Sequence, residues 1–489
     1  MLLDPHSWRG PAGISGAVGA VSSGHRLATA AGQLALFKGG GAADAMIAAQ
    51  AVLCVAMPDA CGVGGDGLAT IREPSGRLVS YNGAGLSAAG NGTAAIADDG
   101  RSVTVPGLVR FWHDVSEAHG RLPLAETLAP AIALARRGIV RAPALLRAAN
   151  EQRARLARGG AGDWSMVAPG GADDRVVQPD LANLLSRLGT DGPDAFYGGE
   201  VAEAIVRAVG GHGGTLAPAD LALHETQIAA PLTLDWRGWR VAVQPPASQG
   251  VLLLMVLAAA ERLDAGADRH ALVELAKASF AHRDEVARGA ELMDRLLEHD
   301  PERAAEGVGP RSYLHTAGVA TADVEGTVCS SLVSVFDDFG SAILVPEHGF
   351  VLNNRAAGFT TGDNAPGGGK RPVHTLAPAL VGTGDGAFAI ATPGADGQVQ
   401  VLLQVLHAIR VEGIDPAEAV ARPRWRAEDG KLLVEEDMAG LEAFAARGHK
   451  VVPGRPGANP FGAVTIAGVL GDRAYALSDW RRQTTSGVA

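Results

Sequence analysis

The stretch that decides the fold is His315-Thr316-Ala317-Gly318-Val319-Ala320-Thr321-Ala322-Asp323-Val324-Glu325-Gly326. Small and β-branched residues run unbroken to an acidic, glycine-terminated turn, so the segment reads as a strand entering a hairpin. A second strand is expected over Cys329 to Val335. Beyond it come Phe339-Gly340-Ser341, then Gly349-Phe350-Val351-Leu352-Asn353-Asn354-Arg355, and later Thr392-Pro393-Gly394-Ala395-Asp396-Gly397-Gln398. Upstream, residues Arg288 to Leu314 are rich in charge, Gly and Pro, and read as a surface connector leading into Thr316.

Working outward, the 489 residues are 47% hydrophobic and 19% charged, enough to build a sizeable core. The net charge of −11 and the lack of a basic patch argue against a nucleic-acid partner. The most apolar run, Gly250 to Ala260, falls short of the ~20 residues needed to span a bilayer. Residues 1–19 lack a basic segment followed by an apolar one, so the protein reads as cytoplasmic, with no membrane partner. Cys54, Cys61 and Cys329 are odd in number and sit in apolar or glycine-rich surroundings, which suits buried thiols. Histidines show no paired-ligand spacing, so neither a metal nor another cofactor is expected.

Helices are expected over Ala42 to Met57, Leu124 to Arg137, Pro143 to Arg158, Val201 to Val209, Gly250 to Leu263 and His270 to Arg288. Strands are expected over Gly67 to Ile71, Leu232 to Val243, Val319 to Ala322, Cys329 to Val335, Ala342 to Val345, Ala387 to Ala391 and Lys431 to Glu435. Pattern alone gives an α+β protein with helices on both faces of a mainly antiparallel sheet.

Together the segments around Thr316, Asn353-Asn354-Arg355 and Gly394-Ala395 resemble the catalytic part of the γ-glutamyltransferase family of N-terminal nucleophile (Ntn) hydrolases. Ser22-Ser23-Gly24-His25, residues 39–44 and Gly62-Val63-Gly64-Gly65-Asp66-Gly67 carry the resemblance into the N-terminal half. It implies a four-layer αββα sandwich and self-cleavage before one threonine. Residues 1–315 and 316–489 would then be large and small subunits from one precursor, intertwined in one structural unit. A homodimer of such processed pairs is compatible with the resemblance.

Spacing alone leaves Thr316 as one strand threonine among many, and Thr327-Val328-Cys329-Ser330-Ser331 offers a second threonine-led strand. The family layout selects Thr316, because Thr327 leaves too few residues before Phe339. A threonine hydroxyl needs an adjacent base. A terminal threonine carries one, since an α-amine titrates at about 7.7–8.0. By the same resemblance Ser334 is a second hydroxyl that polarises the nucleophile, and Gly394 and Ala395 supply the oxyanion hole through backbone N–H groups. Alanine suits that place only if its φ is negative.

The residues that grip a glutamyl head in the family correspond here to Gly83, Phe336, Arg355 and Gly358, with His374 and Thr375 at its carboxylate-binding pair. An arginine and an acid have both become glycine, which disfavours a zwitterionic glutamyl group. Arg355 and His374 are instead suited to an anionic small molecule. Tyr81-Asn82-Gly83-Ala84-Gly85 and Pro245-Pro246-Ala247-Ser248-Gln249-Gly250 resemble the acylase and amidohydrolase members. The implied reaction is hydrolysis of an amide or acyl bond through an acyl-enzyme. Three alternatives stand beside it: C–C bond hydrolysis of the type found in alkylproline antibiotic pathways, true γ-glutamyl transfer, and an inactive chain that never matures.

Overall fold

The computed structural model describes residues 13–170, 174–306 and 316–489. Two seven-stranded antiparallel sheets lie face to face with helices outside both. In the first sheet the strands run in the order Thr485–Val488, Gly19–Ser23, Ala317–Asp323, Val328–Ser334, Asp66–Arg72, Leu78–Asn82, Gln227–Ala229. In the second the order is Ile14–Gly16, Arg473–Ser478, Thr465–Leu470, Gly386–Ala391, Ala379–Gly382, Trp239–Val243, Leu232–Trp236. Strands from either side of residue 316 are thus neighbours in each sheet. The pattern-based single sheet is replaced by a stacked pair, the αββα architecture.

Period-two alternation sorts the side chains of Ala317–Asp323. Ala317 and Val319 face the helical layer of Arg26–Phe37 and Ala42–Ala56, whereas Ala320 and Ala322 face the second sheet. The contact between the sheets is built mainly of alanines: Ala20, Ala320, Ala322, Ala242, Ala389, Ala467, Ala474 and Ala476. Larger apolar residues point outward under the helices, as with Val241, Val381 and Ile390 beneath Gly250–Arg262 and Gly397–Arg410. Every residue of Ala42–Ala56 is buried. The first turn of that helix is held by Asp323 at the end of Ala317–Asp323, whose Oδ2 accepts from the Ala42 N–H at 2.9 Å.

Leu124–Arg137 and Lys431–Glu435 form as the sequence suggests. Leu232 to Val243 is a hairpin rather than one strand, because Arg237 (φ 46°) and Gly238 (φ 79°) turn the chain between Trp236 and Trp239. The helix expected to reach Arg288 ends at Phe280 and gives way to 3₁₀ turns over Arg283–Asp294. The connector after it is docked rather than free at its start, with Leu292 and Leu297 buried. Residues 307–315, with His315, lie outside the described residues.

Candidate active site

Thr316 stands at the head of Ala317–Asp323, which pairs with Val328–Ser334 in the register Ala317↔Val333. This pairing returns Ser334 to the level of Thr316, and the Thr316 hydroxyl donates to Ser334 Oγ at 3.3 Å. The Phe336 N–H donates to the same oxygen at 2.9 Å. Ser334 therefore accepts from both. Gly65 makes this approach feasible: a Cβ there would lie 2.4 Å from the Ser334 carbonyl oxygen. Thr327, the rival threonine, sits at the opposite end of the hairpin, its N–H on Asp323 Oδ1 at 3.0 Å.

Gly394 and Ala395 follow Gly386–Ala391 and precede the helix Gly397–Arg410. Their φ angles are 131° and 50°. The negative φ that would suit alanine is not adopted; Ala395 occupies the left-handed region despite its Cβ. The turn is held through its carbonyls, by Arg426 Nη1 on Gly394 at 3.1 Å and Gln249 Nε2 on Ala395 at 2.9 Å. Neither backbone N–H of the pair donates to a described residue. Gln249 Nε2 also donates to the Thr375 carbonyl at 2.7 Å, so Pro245–Gly250 brackets the two loops.

Arg355 is fully buried and donates from Nε to Asp66 Oδ2 at 2.9 Å, while its guanidinium lies over the Phe336 ring at 4.6 Å. Arg355 Nη1 and Nη2 and Asp66 Oδ1 have no hydrogen-bond partner among the described residues. His374 Nδ1 accepts from the Leu376 N–H at 3.2 Å, which leaves the proton of a neutral ring on Nε2, 3.3 Å from Asp66 Oδ2. Burial, then the Arg355 charge, pushes His374 down to about 4. Burial opposes the Asp66 charge, but the hydrogen bond from His374 and the Arg355 guanidinium hold its carboxyl below the usual range.

The sequence reading therefore had both Arg355 and His374, and missed the carboxylate between them. Asp66 lay in plain view inside Gly64-Gly65-Asp66-Gly67, a lone acid among glycines at the start of a strand. Gly83 is placed differently from the rest. A Cβ there would meet Phe111 Cβ at 2.7 Å and the Gly67 carbonyl oxygen at 2.9 Å, so it is a backbone-packing position with no room for a side chain. Gly358 is less confined, with Phe336 Cε2 3.7 Å from the site of its missing Cβ.

A cavity of about 370 Å³ lies beside Thr316. Its walls include Gly24, His25, Met57, Leu145, Pro393 and Trp480, with Arg147 and Arg455 exposed on its lining. His25 caps the helix Arg26–Phe37 by accepting the Leu27 N–H on Nδ1 at 3.2 Å. Burial, then Arg26, pushes it down to about 4. Cys54, Cys61 and Cys329 are buried free thiols. No described helix is long and apolar enough to cross a membrane.

Comparison with known proteins agrees with this geometry. Acylase ACY 1 proenzyme of Pseudomonas sp. strain SE83 is 33% identical, covering 90% of this chain and 88% of its own. Oxamate amidohydrolase proenzyme of Klebsiella pneumoniae is 30% identical over 82% of this chain and 83% of its own. Among solved structures, the cephalosporin acylase of Bacillus halodurans superposes with a TM-score of 0.88 at 25% identity, covering 100% of this chain and 99% of that one. The γ-glutamyltranspeptidase family pattern matches residues 28–489, and the chain is a member of that family.

Proposed function

We propose that the protein is a self-processing threonine hydrolase that cleaves an amide of a small anionic molecule other than a γ-glutamyl compound. The observation that carries this reading is the Thr316 hydroxyl on Ser334 Oγ at 3.3 Å, at the head of a central strand. In maturation, Thr316 Oγ attacks the carbonyl carbon of residue 315 and the amide C–N bond breaks. The proton goes to the departing nitrogen. Water hydrolyses the resulting ester, leaving a carboxylate on residue 315 and a free amine on Thr316.

In turnover that amine takes the hydroxyl proton as Oγ attacks the substrate carbonyl. The unengaged N–H groups of Gly394 and Ala395 receive the oxyanion. The leaving amine departs with the proton, and water then releases the acyl group. Family membership and the acylase relatives support amide hydrolysis.

The substrate assignment rests on charge and space. Asp66 balances the Arg355 charge through Nε, and the two unpartnered terminal nitrogens of Arg355 offer buried hydrogen-bond donors linked to Ser334 through Phe336. Arg147 and Arg455 add positive charge beside the cavity. Phe336 and Gly358 stand where an α-ammonium would need polar partners, and an ammonium left unpaired there costs several kcal/mol.

The test is maturation of purified full-length protein followed on denaturing gels, with N-terminal sequencing of the fragments. Two fragments are expected, the smaller beginning at Thr316, and Thr316→Ala should abolish both cleavage and amide hydrolysis. Turnover that survives in Thr316→Ala overturns the assignment.

A further inference from the structure

The helix Arg269–Phe280 presents His270, Glu274 and Lys277 on one face, and all three act on a single stretch of chain. His270 Nε2 meets the Asp300 carbonyl at 2.8 Å. Glu274 Oε2 accepts from the Ala305 N–H at 2.8 Å, and Lys277 Nζ donates to the Ala305 carbonyl at 2.6 Å. Lys277 also neutralises Glu274, Nζ to Oε1 at 2.8 Å. From the other side, the Ala304 N–H donates to the Arg447 carbonyl at 2.7 Å. His449 Nε2 lies 2.8 Å from His270 Nδ1, joining the two sides. His270, Glu274 and His449 are all at least nine-tenths buried.

Proton accounting gives the cluster its role. The Asp300 carbonyl accepts, so His270 Nε2 carries a proton, and Nδ1 of the neutral ring accepts from His449 Nε2. His270 Nδ1, His449 Nε2 and both Glu274 oxygens are thereby committed. His270, Glu274 and His449 do bring ligand atoms within 4.8 Å of one another. A cation there would have to break the His270–His449 bond and compete with Lys277, so the arrangement suits holding chain rather than a metal.

We propose that His270, Glu274, Lys277 and His449 form a clamp that fixes residues 300–305 and so positions the chain entering the bond before Thr316 for self-cleavage. The inference rests on the reading that Thr316 is freed by cleavage. Ten residues of sequence, 306–315, lie between the clamp and Thr316. Without it, the next anchor is Leu297, buried and held through its carbonyl by Arg262 Nη2 at 2.6 Å. From there to Thr316 the sequence distance is eighteen residues, 298–315. As a general scaling, lengthening a tether from ten to eighteen residues makes approach of its ends about twofold rarer, and loss of direction adds to that.

The experiment measures the rate of fragment appearance for purified precursors of wild type, Glu274→Ala, Lys277→Met and Lys277→Arg. It then measures kcat/KM of each after complete processing. Lys277 is partly exposed, so Lys277→Met tests the idea even if Glu274→Ala fails to fold. Expected are a measurable slowing of up to about twofold in Lys277→Met, which frees the Ala305 carbonyl and leaves the other clamp contacts, recovery in Lys277→Arg, and unchanged kcat/KM per processed molecule. Cleavage of Lys277→Met at the wild-type rate overturns the clamp, as does an equal loss in the kcat/KM of its processed form. A wild-type chain that never cleaves defeats the self-processing reading itself, so the two failures are told apart.

Discussion

Replacing Asp66 by Asn tests the buried trio beside the nucleophile. The substitution keeps the side chain's shape and removes its charge, leaving the fully buried Arg355 guanidinium uncompensated. Breaking one partner of a buried ion pair typically costs about 3–5 kcal/mol. At about 2.1 cal/mol/K of unfolding entropy per residue, a chain of this length has about 1 kcal/mol/K, so Tm should fall by about 3–5 °C. Calorimetry of the single variants Asp66→Asn and Arg355→Met and of the double variant completes a cycle. Because Arg355→Met leaves a buried carboxylate and the double variant leaves no charge, the double should be more stable than either single. A coupling of at least about 2 kcal/mol is expected. Additive losses, or an Asp66→Asn protein as stable as wild type, would refute the idea that these two groups exist as a compensated pair.

Three further outcomes follow from the geometry. His374 titrates near 4 in the fold against 6.5 in an open chain. The unfolded state therefore takes up a proton that the native state refuses, and stability is full above pH ~6.5 and declines as pH falls toward 4. From this group alone urea unfolding at pH 5 should show about 2 kcal/mol less stability than at pH 7, and a flat profile rejects the buried neutral ring. Ala395→Gly relieves a Cβ in the left-handed region, worth about 1 kcal/mol, against a similar gain in unfolded-chain freedom. Stability and kcat should both stay near wild type, and a large fall in kcat would show that the alanine Cβ itself is needed. Arg147→Ala and Arg455→Ala should each raise KM for an anionic amide about fivefold and leave kcat nearly unchanged. A neutral substrate showing the same increase removes charge recognition from the cavity.

How far the fold could be read from the chain depended on contrast between faces. Leu124–Arg137 and Ala42–Ala56 were legible because their breakers and caps are local. Gly19–Ser23 and Thr485–Val488 of the first sheet and Thr465–Leu470 and Arg473–Ser478 of the second were not, and with the latter two went the second sheet. Their inner faces are alanine and glycine, which pack the sheets closely but give no strong alternation in hydrophobicity. The Trp236–Trp239 hairpin was hidden by an arginine at a positive-φ turn position where Asn or Asp is the usual signal. At the site, Thr316, Ser334 and Arg355 were readable from motif order. Asp66 was not, because it acts on residues 289 and 308 positions away, and nothing local distinguishes it from a turn aspartate.

The departures from a glutamyl site interlock rather than stand alone. Gly83 is locked by Phe111 and by the Gly67 and Gly107 carbonyl oxygens, so an arginine at that position has nowhere to go without moving the strand entry at Gly67. Phe336, held by its N–H on Ser334, lays its ring over Arg355 and alongside Gly358. Arg355 in turn needs Asp66, and Asp66 takes the His374 proton from the opposite loop. Each member fixes the next, so restoring any one family residue would meet a neighbour already adapted to its absence. The Thr316 end is fastened by strand register and joins this set at Ser334, whose Oγ accepts from both Thr316 and Phe336 and whose strand position pairs with Asp66. Because Ser334 is shared, a substitution in the buried trio should also be felt at the Thr316 hydroxyl, and the two regions should respond to mutation as one coupled unit.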